Sequence, residues 1–241
     1  MSAITITNLT KKYGALTAVD NLNLTIDKGE LFALLGMNGA GKTTTIKMLS
    51  CLIKPTYGDA VLLGDSINGN YNAVKQKSNM SPQETAVAPN LSVLENLELI
   101  AGIYGQNAET SRKSAKEMSS QFGLYDVLSK KAKTLSGGMQ RRLSIAMALI
   151  SNPQILFLDE PTLGLDVLAR RKLWASIKQL KNKVTIILTT HYLEEVEALS
   201  DRIGVMTKGN LTAVGTMAEL TAQMGTANLD DAFVVLSGDE L

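Results

Sequence analysis

The stretch that decides the fold runs from Leu31 to Leu49 and reads "LFALLGMNGAGKTTTIKML". Its first five residues are all apolar, as is typical of a strand buried inside a parallel sheet. A glycine-rich loop follows, and from about Lys42 to Ile53 the pattern predicts a helix that stops before Pro55. A strand, a glycine loop and a helix in this order predict an α/β core with a phosphate-binding loop.

The loop itself, residues 36–43, matches G-x-x-x-x-G-K-[ST] in full. Glycines let several backbone N–H groups point inward at phosphate oxygens, and the helix N-terminus adds partial positive charge. Lys42 is expected to reach the β- and γ-phosphates, and the Thr43 hydroxyl to ligate Mg²⁺. A glycine-rich turn without a ligand is the alternative, which the strand–helix context disfavours. The other nucleotide-binding residues predicted here are Gly36, Asn38, Gly39, Ala40, Gly41 and Thr44.

A carboxylate pair ends the apolar run "ILFLDE", residues 155–160. Ligands bind at the carboxyl ends of strands in open α/β sheets, so Asp159 and Glu160 should face the nucleotide. Asp159 is expected to hold Mg²⁺ through water, and Glu160 to orient or deprotonate the attacking water. A solvated strand end is the alternative, and it fits one acid better than two.

His191 is the only histidine and directly follows "VTIILTT", another predicted strand. A lone histidine is usually structural. Because this one ends a strand of the same predicted sheet, it could contact the γ-phosphate and hold the water in line.

The rest of the chain surrounds this core. Residues 3–9 and 20–26 alternate apolar and polar side chains, which predicts antiparallel strands, and 58–67 predicts another strand. Residues 68–90 look loop-rich, and a helical pattern fills most of the following sixty residues. We therefore expect a P-loop NTPase core with a mostly parallel sheet, an N-terminal antiparallel β subdomain and an inserted α-helical subdomain at about 84–150.

Composition limits the partners and the location. Among 241 residues, 24 basic side chains nearly balance 23 acidic ones, which argues against nucleic acid as the main partner. The single cysteine, Cys51, excludes an internal disulfide and fits a reducing compartment. It falls in the helical pattern after the glycine loop, where a packed thiol is expected. The apolar runs are far shorter than the ~20 residues that span a bilayer. We expect a cytoplasmic chain, with any membrane-spanning part on another polypeptide.

A second glycine pair opens another predicted helix in "LSGGMQRR", residues 135–142. This segment resembles the signature motif of the ATP-binding subunits of ABC transporters. "GMNGAGKT" is similar to that family's Walker A motif and "ILFLDE" to its Walker B motif. The resemblance runs from about Ile4 to Gly215, with the motifs in the expected order and spacing.

The resemblance implies further site residues. Gln83 in "SPQ" resembles the Q-loop glutamine, which takes part in catalysis and in binding the metal. Asp166 in "GLD" is similar to the D-loop aspartate, and His191 to the H-loop histidine. Tyr13 resembles the aromatic residue that stacks on adenine. The cofactors implied are ATP and Mg²⁺.

The resemblance also implies how the second loop works. In this family two ATPase subunits meet head to tail, as a homodimer or a related heterodimer, and each signature helix caps the γ-phosphate of the other subunit's ATP. Ser136, Gly137 and Gly138 would then act on the partner's nucleotide. ATP would join the subunits, and hydrolysis would release them. The block from Gln83 to Ile150 would grip an integral membrane permease on the cytoplasmic face of the cell membrane.

The resemblance divides the chain into an ATPase domain, 1–220, and a short C-terminal extension, 221–241. The segments 189–216 and 228–238 resemble the subgroup that pairs with ABC-2-type membrane subunits, which are mostly exporters. Import, a mechanical or regulatory role at the membrane and, less favoured, a nucleic-acid-associated ATPase are the alternatives. Met37 and Val167 depart from the commoner residues, but neither position supplies a catalytic side chain.

Overall fold

The computed structural model describes residues 1–237. Besides two short 3₁₀ helices (Tyr125–Val127 and Ala132–Thr134), ten strands and nine α-helices are found within that range. In chain order they are β1 (Ser2–Tyr13), β2 (Leu16–Asp27), β3 (Leu31–Leu35), α1 (Lys42–Leu49), β4 (Tyr57–Leu62), β5 (Asp65–Ser66), α2 (Tyr71–Lys77), β6 (Ser78–Ser81), α3 (Val93–Ile103), α4 (Ala108–Gln121), α5 (Gly137–Leu149), β7 (Ile155–Asp159), α6 (Val167–Lys178), β8 (Thr185–Thr190), α7 (Leu193–Leu199), β9 (Arg202–Thr207), β10 (Asn210–Gly215), α8 (Met217–Met224) and α9 (Leu229–Ser237).

A six-stranded sheet forms the core, in the order β10-β9-β3-β8-β7-β6. The pairs within β9-β3-β8-β7-β6 are all parallel, and only the β9–β10 hairpin is antiparallel. The three central strands β3, β7 and β8 are buried at every position, as their continuous apolar sequences predict. The predicted mostly parallel core is confirmed.

A second, four-stranded sheet lies at the N-terminal side, in the order β2-β1-β4-β5 with every pair antiparallel. This confirms the predicted antiparallel subdomain. The single strand predicted at 58–67 is instead a hairpin, because Leu63 and Gly64 both adopt positive φ and reverse the chain.

Two further local predictions were wrong. The helix after the glycine loop ends at Leu49 rather than Ile53, and Cys51 follows it with φ 57°, partly buried against the core beside β1 and β4. Residues 68–90 contain α2 and the strand β6. The polar sequence of β6 suits its place at the sheet edge, where only one neighbouring strand, β7, pairs with it.

The central sheet has one hydrophobic cluster on each of its two faces. Leu31, Ala33 and Leu35 of β3 face the helical block, whereas Phe32 and Leu34 face α1 and the antiparallel sheet. This alternation is the period of two expected of a strand. It places β3, and the loop that follows it, between the two layers.

The inserted helices α3, α4 and α5 pack as the block that the sequence predicted. Every residue of α5 from Leu143 onward is buried, so the helix has no solvent face along that half. Near the C-terminus, α8 spans residue 220, the predicted end of the ATPase domain. Leu229 and Phe233 of α9 are buried in the same hydrophobic core as the inserted helices. The described part of the C-terminal extension therefore shares the main core, and residues 238–241 lie outside the described range.

Candidate nucleotide site

All the predicted nucleotide-binding residues except Gly36 line one cleft of about 530 Å³. The cleft lies at the carboxyl ends of β3, β8 and β7, which are neighbours in the sheet. The glycine loop follows β3, His191 follows β8 and Glu160 follows β7. Segments far apart in sequence therefore meet at one sheet edge, as expected for parallel strands.

Two glycines of the loop are required by close backbone contacts. A Cβ on Gly36 would come within 2.4 Å of the Met206 carbonyl oxygen. Gly41 has φ 104°, and a Cβ there would lie 2.5 Å from the Ala18 carbonyl oxygen. Any larger residue at either position would clash with backbone, so the path of the loop into α1 depends on both glycines.

A chain of three ionisable side chains crosses the floor of the cleft. Lys42 Nζ lies 3.3 Å from Glu160 Oε1, and Glu160 Oε2 lies 2.7 Å from His191 Nδ1. Lys42 also donates to the carbonyl oxygens of Gly36 and Met37, at 2.7 and 3.2 Å. Lys42 and Glu160 are about 5% exposed, so this cation and carboxylate are paired with little solvent screening.

Glu160 also has an unusual backbone. Its φ is 47°, the left-handed region, which costs a non-glycine residue about 1–3 kcal/mol. Its N–H donates to both the carbonyl and the hydroxyl oxygen of Thr189, each at 3.1 Å. The turn at Glu160 aims the carboxylate into the cleft between Lys42 and His191.

Asp159 lies beneath Glu160 and is fully buried. Its Oδ1 accepts from the hydroxyls of Thr43 at 2.9 Å and Thr189 at 2.6 Å. A threonine hydroxyl and a carboxylate in contact form the hard oxygen set that suits Mg²⁺, whose remaining ligands are usually water and substrate phosphate. Thr43 and Asp159 thus fit the predicted ion, and Gln83 lies on the wall of the same cleft.

The outer walls are more apolar. Tyr13, predicted to stack on adenine, is 49% exposed at the mouth of the cleft. Leu16, Ala18 and Leu163 line the cleft beside it, although sequence reasoning did not select them. Leu16 and Ala18 are placed there by the β1–β2 hairpin, and Leu163 by the turn between β7 and α6. No motif marks these residues.

The signature residues Ser136, Gly137 and Gly138 are not among the residues that line this cleft. Ser136 is exposed, and its Oγ caps α5 by accepting from Met139 N–H at 3.4 Å. A Cβ on Gly137 would meet nothing within 4 Å, whereas one on Gly138 would lie 2.9 Å from Ala169 Cβ. One signature glycine is therefore open to solvent, and the other is constrained by packing.

Asp166 is likewise outside the cleft. It is the N-cap of α6, where its Oδ1 accepts from the Ala169 N–H at 2.8 Å. Through Ala169 the start of α6 lies beside Gly138, so the D-loop aspartate and the signature segment occupy neighbouring parts of one surface.

Comparison with known proteins identifies the family. The sequence model of the family described as "ABC transporter" matches residues 19–163. The chain belongs to this ABC transporter family. It is 39% identical to the linearmycin resistance ATP-binding protein LnrL of Bacillus subtilis, covering 95% of this chain and 76% of LnrL. It is also 39% identical to the probable multidrug ABC transporter ATP-binding protein YbhF of Escherichia coli, covering 96% of this chain but 41% of YbhF.

Among solved structures, the ABC cassette MJ0796, a dimer in a post-hydrolysis state bound to ADP and phosphate, is similar with a TM-score of 0.80. It is 30% identical, over 88% of this chain and 98% of that one. The chain is therefore an ABC-type ATPase with the cassette fold. Within residues 1–237, no helix combines the length and the apolar character needed to cross a membrane.

Two buried charges of this ABC cassette were missed by sequence reasoning. Arg141, in the second turn of α5, is 3% exposed, and burial lowers the pKa of its guanidinium to about 10. Glu195 of α7 is fully buried, and burial raises the pKa of its carboxyl, while hydrogen bonding, including that from the Trp174 indole at 3.1 Å, offsets part of the rise. Neither residue stands beside an apolar run that would mark it as buried.

Proposed function

We propose that the chain hydrolyses ATP in the cleft above β3, β8 and β7, in composite sites shared by two ATPase subunits, and that this cycle drives export through a separate membrane subunit. The observation that carries the proposal is the Lys42–Glu160–His191 chain beside the phosphate loop. A cation, a carboxylate and an imidazole in contact on the floor of the cleft support this proposal.

Lys42, Glu160, His191 and Tyr13 have distinct tasks, and that of His191 is to contact the γ-phosphate and hold the attacking water in line. Lys42 neutralises phosphate charge that develops in the transition state. Glu160 accepts the proton of the attacking water or orients that water, and its Oε2 contact with His191 keeps the carboxylate and the imidazole on the same side. Tyr13 stacks on the base at the mouth of the cleft.

Mg²⁺, when bound, would supply positive charge that offsets the negative charge of the phosphates. Thr43 and Asp159 would hold it, together with Gln83, which lines the same cleft as Thr43. Asp159 is kept in place by Thr189, whose hydroxyl donates to the same Oδ1.

The second half of each site comes from the partner subunit. The signature segment, Ser136–Gly138, lies outside the cleft of its own chain, yet it starts a helix whose first N–H groups favour an anion. The dimeric MJ0796 cassette, with bound ADP and phosphate, supports a cycle in which nucleotide joins two copies. Ser136, Gly137 and Gly138 would then bind the γ-phosphate of the partner's ATP, and Asp166 would lie at the same interface.

The membrane subunit is proposed to dock beside Gln83. Met80, Pro82 and Tyr104 line two adjoining cavities of about 370 and 280 Å³ there. The large side chains of Leu52 and Ile103, 60% and 69% exposed, lie at their edges. A cytoplasmic segment of the membrane subunit would cover this apolar groove, with the chain held on the cytoplasmic face.

Export rather than import is favoured by the relatives. LnrL is described as a resistance protein and YbhF as a probable multidrug transporter protein, and the chain matches each over about 95% of its own length. A drug or antibiotic is the class of cargo that these names support.

The central test is Glu160→Gln. The variant should bind ATP with nearly unchanged affinity but hydrolyse it about 10²–10⁴-fold more slowly, because the amide cannot accept the proton. Phosphate release and size-exclusion chromatography with ATP measure this, and a stable dimer should accumulate. Glu194→Gln is the matched control, since Glu194 is exposed and pairs only with Arg170. Wild-type turnover in Glu160→Gln would remove this carboxylate from the mechanism.

Docking is tested separately by co-expression with a membrane subunit. The wild-type chain should then be recovered in the membrane fraction, and Ile103→Asp should return most of it to the soluble fraction with ATP affinity unchanged. Val235→Asp is the control, because Val235 is similarly exposed on α9, away from the groove. Equal membrane recovery of both variants would place the docking surface elsewhere.

A further inference from the structure

The Arg141 guanidinium donates hydrogen bonds to four backbone carbonyl oxygens in two segments of the chain. Its Nη1 donates to Pro82 and, at 3.2 Å, to Gln83. Its Nη2 donates to Asp159 at 2.7 Å, and its Nε to Pro161 at 2.8 Å. These acceptors belong to the loop that carries Gln83 and to the strand end that carries Glu160. All are held by a side chain of the helix that begins at the signature segment.

The two acceptors at 159 and 161 flank Glu160. Since Glu160 has a left-handed backbone at φ 47°, its neighbouring peptide groups must be held against their tendency to relax. A planar guanidinium can donate to the carbonyl before and the carbonyl after the strained residue at the same time.

We infer that Arg141 is a positioning residue for hydrolysis: it fixes the backbone on both sides of Glu160 and ties it to the loop that carries Gln83. The inference rests on the proposed role of Glu160. Arg141 donates to no residue of the phosphate loop, 36–43, so it should affect the hydrolytic step and not nucleotide affinity.

Arg142 provides a matched control. It is the next residue on α5, and its Nη1 also donates to two backbone carbonyls, those of Phe122 at 2.7 Å and Gly123 at 3.1 Å. Those acceptors lie within the helical block, far from Glu160 in the chain. A general loss of helix anchoring would therefore appear in both arginines, whereas loss of Glu160 positioning would appear only at Arg141.

The first experiment is a double-mutant cycle on turnover. Arg141→Lys should lower kcat about 10–100-fold with ATP affinity within about twofold, since an ammonium cannot reach four acceptors in a fork. In a Glu160→Gln background the same change should cost less than about threefold, because there is no longer a base to position. Arg142→Lys should cost less than about threefold in both backgrounds.

Equal losses from Arg141→Lys in the two backgrounds, or a parallel loss of ATP affinity, would overturn the inference. So would an Arg142→Lys defect of the same size. Wild-type turnover in Glu160→Gln would instead refute the proposed function itself, so the two failures are distinguishable. If Glu160→Gln is slow and Arg141→Lys is unaffected, only the positioning role is lost.

A stability measurement covers variants that fold poorly. Glycine adopts left-handed backbone without strain, so Glu160→Gly removes the need to hold that turn. Arg141→Gln should lower Tm by less than half as much in the Glu160→Gly background as in the wild type, as followed by circular dichroism. Arg142→Gln should shift Tm equally in both. Equal shifts for Arg141→Gln, or failure to fold in both backgrounds, would overturn the inference.

Discussion

Two helices, α1 and α5, begin at glycines. The two helix starts differ in how far they are enclosed by the rest of their own chain. At the phosphate loop, Gly36 and Gly41 are pressed against backbone, and Lys42 is about 5% exposed in contact with Glu160. At the signature segment, Ser136 and Gly137 face solvent, and a side chain added at Gly137 would meet nothing.

The difference shows that a helix N-terminus is only part of an anion site. Both α1 and α5 present N–H groups, but only α1 has a buried lysine and oxygen ligands for a cation at its start. A single helix terminus contributes about 0.3–1 kcal/mol to binding a charge. The signature segment needs a second surface that supplies charge and enclosure, which is the reason for proposing a partner's nucleotide.

The difference between the phosphate loop and the signature segment should be largest in how their mutation changes ATP affinity. Lys42→Ala should weaken ATP binding by about 10–100-fold, the value of one hydrogen bond to a charged group, and should abolish measurable turnover. Ser136→Arg should leave the affinity of the isolated chain within about twofold and still lower turnover by about 10²-fold or more. Titration with a fluorescent ATP analogue and a phosphate-release assay measure both.

Ser129→Arg controls for the added charge, because Ser129 is exposed in the same helical block. The thermal stability of each variant should be measured alongside these assays, because Lys42→Ala leaves the buried Glu160 carboxylate without its cation. A large affinity loss in Ser136→Arg would mean that the signature segment serves its own chain's nucleotide, and the contrast between the two regions would disappear.

A smaller effect is expected when the two inactive variants are mixed. In a mixed dimer the Ser136→Arg chain offers an intact phosphate loop and the Lys42→Ala chain an intact signature segment, so one of two sites is complete. ATPase activity should rise above that of either variant alone, up to half of the wild-type value per mixed dimer. Mixing Lys42→Ala with Glu160→Gln should give no rescue, because both changes damage the same half.

If the mixture of Lys42→Ala and Ser136→Arg shows no rescue, cross-linking decides whether the signature segment acts on its own chain's nucleotide or on the partner's. In a Cys51→Ser background, cysteines at Asn38 and Gly137 should join different chains when ATP is bound. Bonds formed only within one chain would contradict the head-to-tail arrangement.

The smallest expected effect is a difference in stability between alanine variants of the two signature glycines. Gly138→Ala should lower the free energy of unfolding by about 1–3 kcal/mol, because its Cβ would lie 2.9 Å from Ala169 Cβ. Gly137→Ala meets no neighbour and should not lower stability, yet it should reduce turnover if a phosphate approaches there. Chemical denaturation and ATPase assays on both variants test this. Equal destabilisation would show that the glycine pair has a single packing role.

Much of the site could be predicted because its residues follow buried strands. The continuous apolar runs before Gly36, Asp159 and His191 identify three parallel strands, and parallel strands bring their carboxyl ends to one edge. The signature segment was found only through its resemblance to a family motif. Its physical pattern, glycines at a helix start, does not say which nucleotide it serves.

Other features could not be predicted from local pattern. β6 is polar because it lies at the sheet edge, and its sequence "SNMS" shows no strand signal. Arg141 looks like one of two adjacent arginines on a helix. Only the packing of α5 against β6 and β7 buries one of them beneath the site and leaves the other half-buried.

By itself, then, the sequence predicted the P-loop core with its mostly parallel sheet, and it singled out Lys42 and the carboxylate pair as candidate site residues. Periodicity and motif spacing are local properties, and they can be read along the chain. The tertiary structure decided that Lys42 pairs with Glu160 and that Gly138 is constrained by Ala169. It also decided that Arg141 donates hydrogen bonds to the carbonyl groups on both sides of Glu160. These contacts join residues on different elements, so they exist only once the sheet has brought those elements together.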